Sequence, residues 1–177
     1  MSQDHSEDNS NDDSNANQGG GPEGQRQGGQ VLLERLYLKD ASFESPRSPA
    51  VFTEGWQPDY QLDINTRTNG LGNDRFEVVL SCTLRAKTEA GKTAYIVEIQ
   101  QAGVFQLKDL DDQSLQRVLA TLCAGTLFPY VRETVDNLVV KGGFPAVHLA
   151  PVNFEALYAD ALRKRSAAAP PPAGVTH

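Results

Sequence analysis

The sequence predicts an α+β fold: a four-stranded antiparallel sheet followed by two C-terminal helices, the first long and bent at Pro129, packed on one face. Three observations carry this. Phe76, Val78, Leu80, Cys82, Leu84 and Ala86 recur at every second position, the period of a strand with one buried face. Leu115, Val118, Leu119 and Leu122 recur at i, i+3, i+4 and i+7, which is one stripe of a helix. All strand-like segments precede all helix-like ones, so helices and strands should segregate into layers.

The first strand, Val31 to about Glu44, alternates poorly. Leu32, Leu33, Leu36, Tyr37 and Leu38 fill both faces, which predicts a strand covered on both sides or paired at a subunit boundary. Pro46, Pro49, Gly55 and Pro58 then break the chain, and no regular element is expected between them. That loop nevertheless carries Val51, Phe52 and the only tryptophan, Trp56. It must close as a satellite core over the body or line a cleft.

Tyr60, Leu62 and Ile64 alternate with polar residues as the second strand, and Asn69 to Asp74 supply turn residues. Arg75 to Lys87 is the third strand, and Glu89-Ala90-Gly91 closes a hairpin. The fourth places Tyr95, Val97 and Ile99 on one face, with Ile96, Glu98 and Gln100 on the other. Ile96 is an apolar residue on a polar face. The helix beginning near Asp111-Asp112 should bend or restart near Gly125–Pro129, because Pro129 lacks an N–H and clashes with the carbonyl four residues back. Gly142-Gly143 stops it. Asn153 caps the last helix, with Phe154, Leu157, Tyr158, Ala161 and Leu162 on one face.

Of 177 residues, the first 30 hold six acids against one base, Arg26, which is five of the seven net negative charges. With residues 166–177 they are expected to be solvated, disordered tails around a single domain at 31–165. The domain is nearly neutral and has no basic stripe, which argues against a nucleic-acid reader. The start lacks the apolar core of a signal peptide, and no run reaches the roughly 18 apolar residues of a membrane span. A cytoplasmic protein is expected.

Catalytic machinery is absent from the pattern. His148 is the only histidine of the domain, and Cys82 and Cys123 sit at apolar-periodic positions as core residues. No metal spacing or phosphate loop is present, so neither cofactor nor metal is expected. There is more apolar face than two helices cover, which points to an oligomer. The candidate classes are a binding protein and a structural assembly subunit.

Short segments decide between them. Tyr37-Leu38-Lys39-Asp40, Ser42-Phe43-Glu44, Trp56-Gln57-Pro58, Phe76-Glu77-Val78-Val79-Leu80 and Glu98-Ile99-Gln100-Gln101 are followed by Leu127-Phe128-Pro129-Tyr130. Leu149-Ala150-Pro151-Val152-Asn153-Phe154 then stands just before the capped helix. Together these resemble the SecB family of bacterial protein-export chaperones over about residues 31–165. Ala102 departs from the family's usual glycine in its Gln-Gln-Gly-Gly run. The resemblance implies an ATP-independent homotetramer, a dimer of dimers, that holds precursor proteins unfolded and passes them to the SecA motor. It further implies that Phe52, Trp56, Tyr60, Leu62, Ile64, Tyr158 and Leu162 line a client groove. Asp40, Glu44, Ile96 and Glu98 would receive the zinc-bearing, basic tail of SecA, the zinc belonging to SecA. Val97, Ile99 and Gln101 would lie at or near the subunit interface.

Overall fold

In the computed structural model, residues 29–168 are described. Most of the two expected tails therefore lies outside the described residues. Their inner boundaries shift, because Gln30 already opens a strand and Ser166–Ala168 continue a helix.

The sheet consists of β1 (Gln30–Glu44), β2 (Asp59–Gly72), β3 (Arg75–Lys87) and β4 (Thr93–Lys108), in the antiparallel order β1-β4-β3-β2. Cross-strand partners share a face. Phe76, Val78, Leu80, Cys82, Leu84 and Ala86 of β3 stand opposite Phe105, Gly103, Gln101, Ile99, Val97 and Tyr95 of β4. This is the inner face, and the helices cover it. β2 and β4 run well past the expected ends at Asn65 and Gln100. Asn65, Asn69 and Gly70 are poor strand formers that pair because β3 offers a full-length partner. The turn contracts to Asn73 and Asp74, both at positive φ (52° and 58°), as a two-residue hairpin requires.

β1 is not covered on both sides. Two register shifts, between Leu33 and Arg35 and between Leu38 and Asp40, re-phase it. Leu33, Leu36, Leu38, Ala41 and Phe43 all face inward, opposite Phe105, Gly103, Gln101, Ile99 and Val97. Leu32 and Tyr37 alone among its large apolar residues face outward.

The helical layer is α1 (Asp112–Val118), a π-turn (Leu119–Cys123) and α2 (Ala124–Lys141), running on without a break, then α3 (Phe154–Ala168). Asp111 caps α1, its carboxylate accepting from the Ser114 N–H at 2.8 Å. Pro129 removes one ladder bond but sits inside α2, which does not restart there, and the ladder changes to a π-turn about two turns earlier. A π-turn inserts one residue, so the buried stripe passes from Leu119 to Cys123, Ala124, Leu127 and Val131, and Leu122 is left 52% exposed. Gly103 lets the long helix come close: a Cβ there would meet Leu127 at 3.1 Å. Gly143, at φ 87°, ends it. The Phe144 N–H donates to the Val139 carbonyl across this stop, at 3.1 Å.

The proline-rich loop holds one 3-10 turn, Ala50–Thr53, where no regular element was expected. Burial of Val51 supplies the reason, and an Arg47–Glu54 ion pair clamps the turn from outside.

Candidate functional site

Three surfaces gather the expected site residues. On the inner side, a groove of about 420 Å³ runs between β2 and α3. Ile64, Tyr158 and Leu162 line it, together with Thr66, Thr68, Leu119 and Leu157. Asn153 caps α3 as expected, accepting from the Ala156 N–H at 3.0 Å. Among the residues of α3 whose burial is described, only Phe154 is buried, packed edge-on against Phe128 at 5.8 Å between centroids. Leu157 and Leu162 stay half exposed, so the apolar face of α3 is turned toward the groove without closing on the sheet. Tyr60 and Leu62 continue the same row along β2 and are also partly exposed.

Phe52 and Trp56 lie apart from that groove, in an aromatic nest. Phe144 is its hub, with ring centroids 4.9 Å from Trp56, 5.1 Å from Phe52 and 4.7 Å from Tyr95. Phe43 stacks on Tyr95 at 5.7 Å. The loop therefore closes as a satellite core through Trp56, while Phe52 leaves half its surface free. The linker behind Phe144 is tied to α2 by Asp136, whose carboxylate accepts from the backbone N–H groups of Val147 and His148 (3.1 and 3.0 Å). His148 is exposed and stands 3.2 Å from the same carboxylate. It is a structural partner of the linker.

The outer face of the sheet is polar. Glu44 stands opposite Ile96, Ser42 opposite Glu98, and Asp40 opposite Gln100. Register thus brings Asp40, Glu44, Ile96 and Glu98 onto one face of adjacent strands, with all three carboxylates exposed and Ile96 half-buried. Beside them, Glu77 accepts from Tyr37 Oη, from Lys39 Nζ at 2.7 Å and from Asn69 Nδ2 at 2.8 Å. The lysine, then the tyrosine and asparagine hydrogen bonds, hold the Glu77 carboxyl at about 2, and the same contact pushes the Tyr37 phenol up to about 12. A charge-assisted network of this kind is stiff because every partner favours the ionised carboxylate.

Val97, Ile99 and Gln101 are 0%, 1% and 4% exposed. The long helix of the same chain already covers them, so the single chain does not present them as a surface. Burial pushes the Cys82 thiol up to about 11 and the Cys123 thiol up to about 12. Neither is a nucleophile at neutral pH. No group of three or more metal-ligating side chains occurs among the described residues, nor a helix long and apolar enough to cross a membrane.

Comparison with known proteins is decisive. Residues 24–165 match the family model described as SecB, preprotein translocase subunit SecB. The chain belongs to the SecB family. It is 51% identical over 148 residues to the protein-export protein SecB of Marinobacter nauticus, covering 84% of this chain and 88% of the relative. For the SecB of Hahella chejuensis the figures are 50% over 141 residues, 80% and 88%. A SecB-like chaperone of Mycobacterium tuberculosis, solved with a ChAD peptide from an antitoxin, shares the fold at a TM-score of 0.59. Its sequence identity is 22%, and the match covers 70% of this chain and 91% of that one.

SecB membership makes this a protein-export chaperone, not an enzyme. The sequence reading did not single out Leu157, Thr66 and Thr68 as groove residues, or Glu77 as the outer hub. The first three could have been found by extending the period of two along β2 and the helical stripe along α3. Glu77 carries no such signal, because two of its three partners lie 38 and 40 residues away.

Proposed function

We propose that this chain holds unfolded precursor proteins in the cytoplasm without nucleotide, along the inner groove, and delivers them to SecA through the outer acidic face. The observation that carries the proposal is the row of half-exposed apolar side chains, Tyr60, Leu62 and Leu162 among them, on a stably covered sheet. Such side chains bury area without demanding a particular hydrogen-bond partner. About 400 Å² of apolar burial at roughly 25 cal/mol per Å² contributes about 10 kcal/mol gross. Association and ordering costs offset most of this for one segment, so a client is held by several segments together.

The assembly we propose is a tetramer, a dimer of dimers. β1 is an edge strand with Val31, Leu32, Tyr37 and Leu38 exposed, and an exposed apolar edge seeks a partner. The outward side of the long helix, with Leu122, Tyr130 and Val140 half exposed, supports a second contact. Val97, Ile99 and Gln101 would act on that contact from beneath, by supporting the helix. In this reading Asp40, Glu44 and Glu98 receive the basic, zinc-bearing tail of SecA around Ile96.

Aggregation of a reduced, unfolded protein, followed by light scattering without nucleotide, tests the holding activity. Suppression by the wild type and its loss in Leu162→Glu are expected. Equal suppression by both proteins would move the client site elsewhere. A structural assembly subunit would suppress nothing.

A further inference from the structure

The two residues that break the β1 ladder are both charged, and both are tied to a counter-charge two strands away. Glu34 and Lys39 are the residues without a cross-strand partner at the two register shifts. Glu34 accepts from Arg75 Nε at 2.8 Å, and Lys39 donates to Glu77 at 2.7 Å. Arg75 and Glu77 are outer-face neighbours on β3, so each pair reaches over β4. A bulge adds one residue and re-aims everything beyond it. Leu38 faces inward, opposite Gln101, yet Asp40, two residues on, faces outward opposite Gln100. Were Lys39 to enter the ladder, a one-residue slip would carry Asp40 and Glu44 to the helix side.

We propose that Glu77 is a positioning residue for the partner-binding face: by tethering Lys39 it fixes the bulge that turns Asp40 and Glu44 toward Ile96 and Glu98. The inference rests on the reading of that face as the receiver of the basic SecA tail. Glu77 is suited to the task. Its side chain is only 12% exposed, and Tyr37 and Asn69, from β1 and β2, complete its hydrogen bonds. The Glu34–Arg75 pair at the first shift repeats the device and keeps Leu33 and Leu36 together on the inner face.

Calorimetry of a zinc-loaded SecA tail peptide against the full chain tests this, with hydrogen exchange over Lys39–Glu44 as a second readout. Glu77→Ala should weaken the peptide about tenfold, the scale of coupling within one hydrogen-bond network, and speed exchange, with client holding intact. Glu77→Ala/Lys39→Ala should be equally weak, since it removes the stray lysine charge and leaves the bulge untethered. Glu77→Ala combined with deletion of Lys39 should recover binding, because the ladder then runs unbroken from Leu38 to Asp40 with both on their present faces. Wild-type binding by Glu77→Ala overturns the inference, as does recovery in Glu77→Ala/Lys39→Ala or failure of the deletion to rescue. Asp40→Ala/Glu98→Ala is the control: if it binds the peptide normally, the reading of the face itself fails.

Discussion

The two faces of the sheet are built from the same four strands by opposite rules. The inner face is dry: Leu80, Leu84, Val97 and Ile99 are almost wholly buried beneath Leu127, Val131 and Val135. The outer face carries charge pairs, Lys39–Glu77, Arg75–Glu34 and Arg85–Asp63, laid over the small buried residues Val79 and Ala102. Hydrophobic burial on one side stabilises the fold. Exposed pairs on the other, such as Arg85–Asp63, contribute little to it. On the proposed reading of the outer face, stability and hand-off are separable, each residue answering to the face it occupies.

The largest effect should come from breaking the dry face. Val97→Asp places an unpaired charge at a site with no solvent access and should cost several kcal/mol. Denaturant midpoints would show it, and an unchanged midpoint would refute the division into faces. Phe144→Ala removes the hub of the aromatic nest, at a cost of about 3–5 kcal/mol. Trp56 emission should shift to the red as its 4.9 Å neighbour is lost.

The outer network should be sensitive to pH at both ends. The Glu77 carboxyl falls from 4.5 to about 2 on folding, so its contribution is complete above 4.5 and is lost as pH drops toward 2. The Tyr37 phenol rises from 10 to about 12, so its contribution is complete below 10 and is lost as pH climbs toward 12. Denaturation profiles of Glu77→Gln should be flatter than wild type in both windows. Smallest is the cap: Asp111→Ala removes the acceptor for Ser114 N–H and should lower the denaturant midpoint slightly, with client holding and peptide binding unchanged.

β3 and α3 were legible in the sequence because their period and caps are local properties. Eleven residues of alternation, interrupted only by Val79, and an Asn153 cap need no distant partner to be read. β1 was not legible, since its phase is reset twice, at bulges that show only in its pairing with β4. The π-turn escaped for a related reason: Pro129 announces a lost hydrogen bond, but the ladder gives way two turns earlier, where Thr121 and Thr126 hydroxyls donate to the carbonyls of Arg117 and Leu122. The outer acidic face was legible in part. Asp40 and Glu44 share a face as their spacing suggests, but that this face is also the one of Ile96 and Glu98 depends on the bulge at Lys39.

Separability is the central claim, and one paired measurement reaches it. SecA tail peptide is titrated by calorimetry into wild type and Asp40→Ala/Glu98→Ala, and the same samples are assayed for suppression of client aggregation. Peptide binding should collapse in the double variant and weaken with salt in the wild type, since exposed charges are screened over roughly 8 Å at physiological ionic strength. Holding should be equal in both, with stability within about 0.5 kcal/mol. Peptide binding that survives the double substitution, or holding that falls with it, would contradict a protein built on two independent faces.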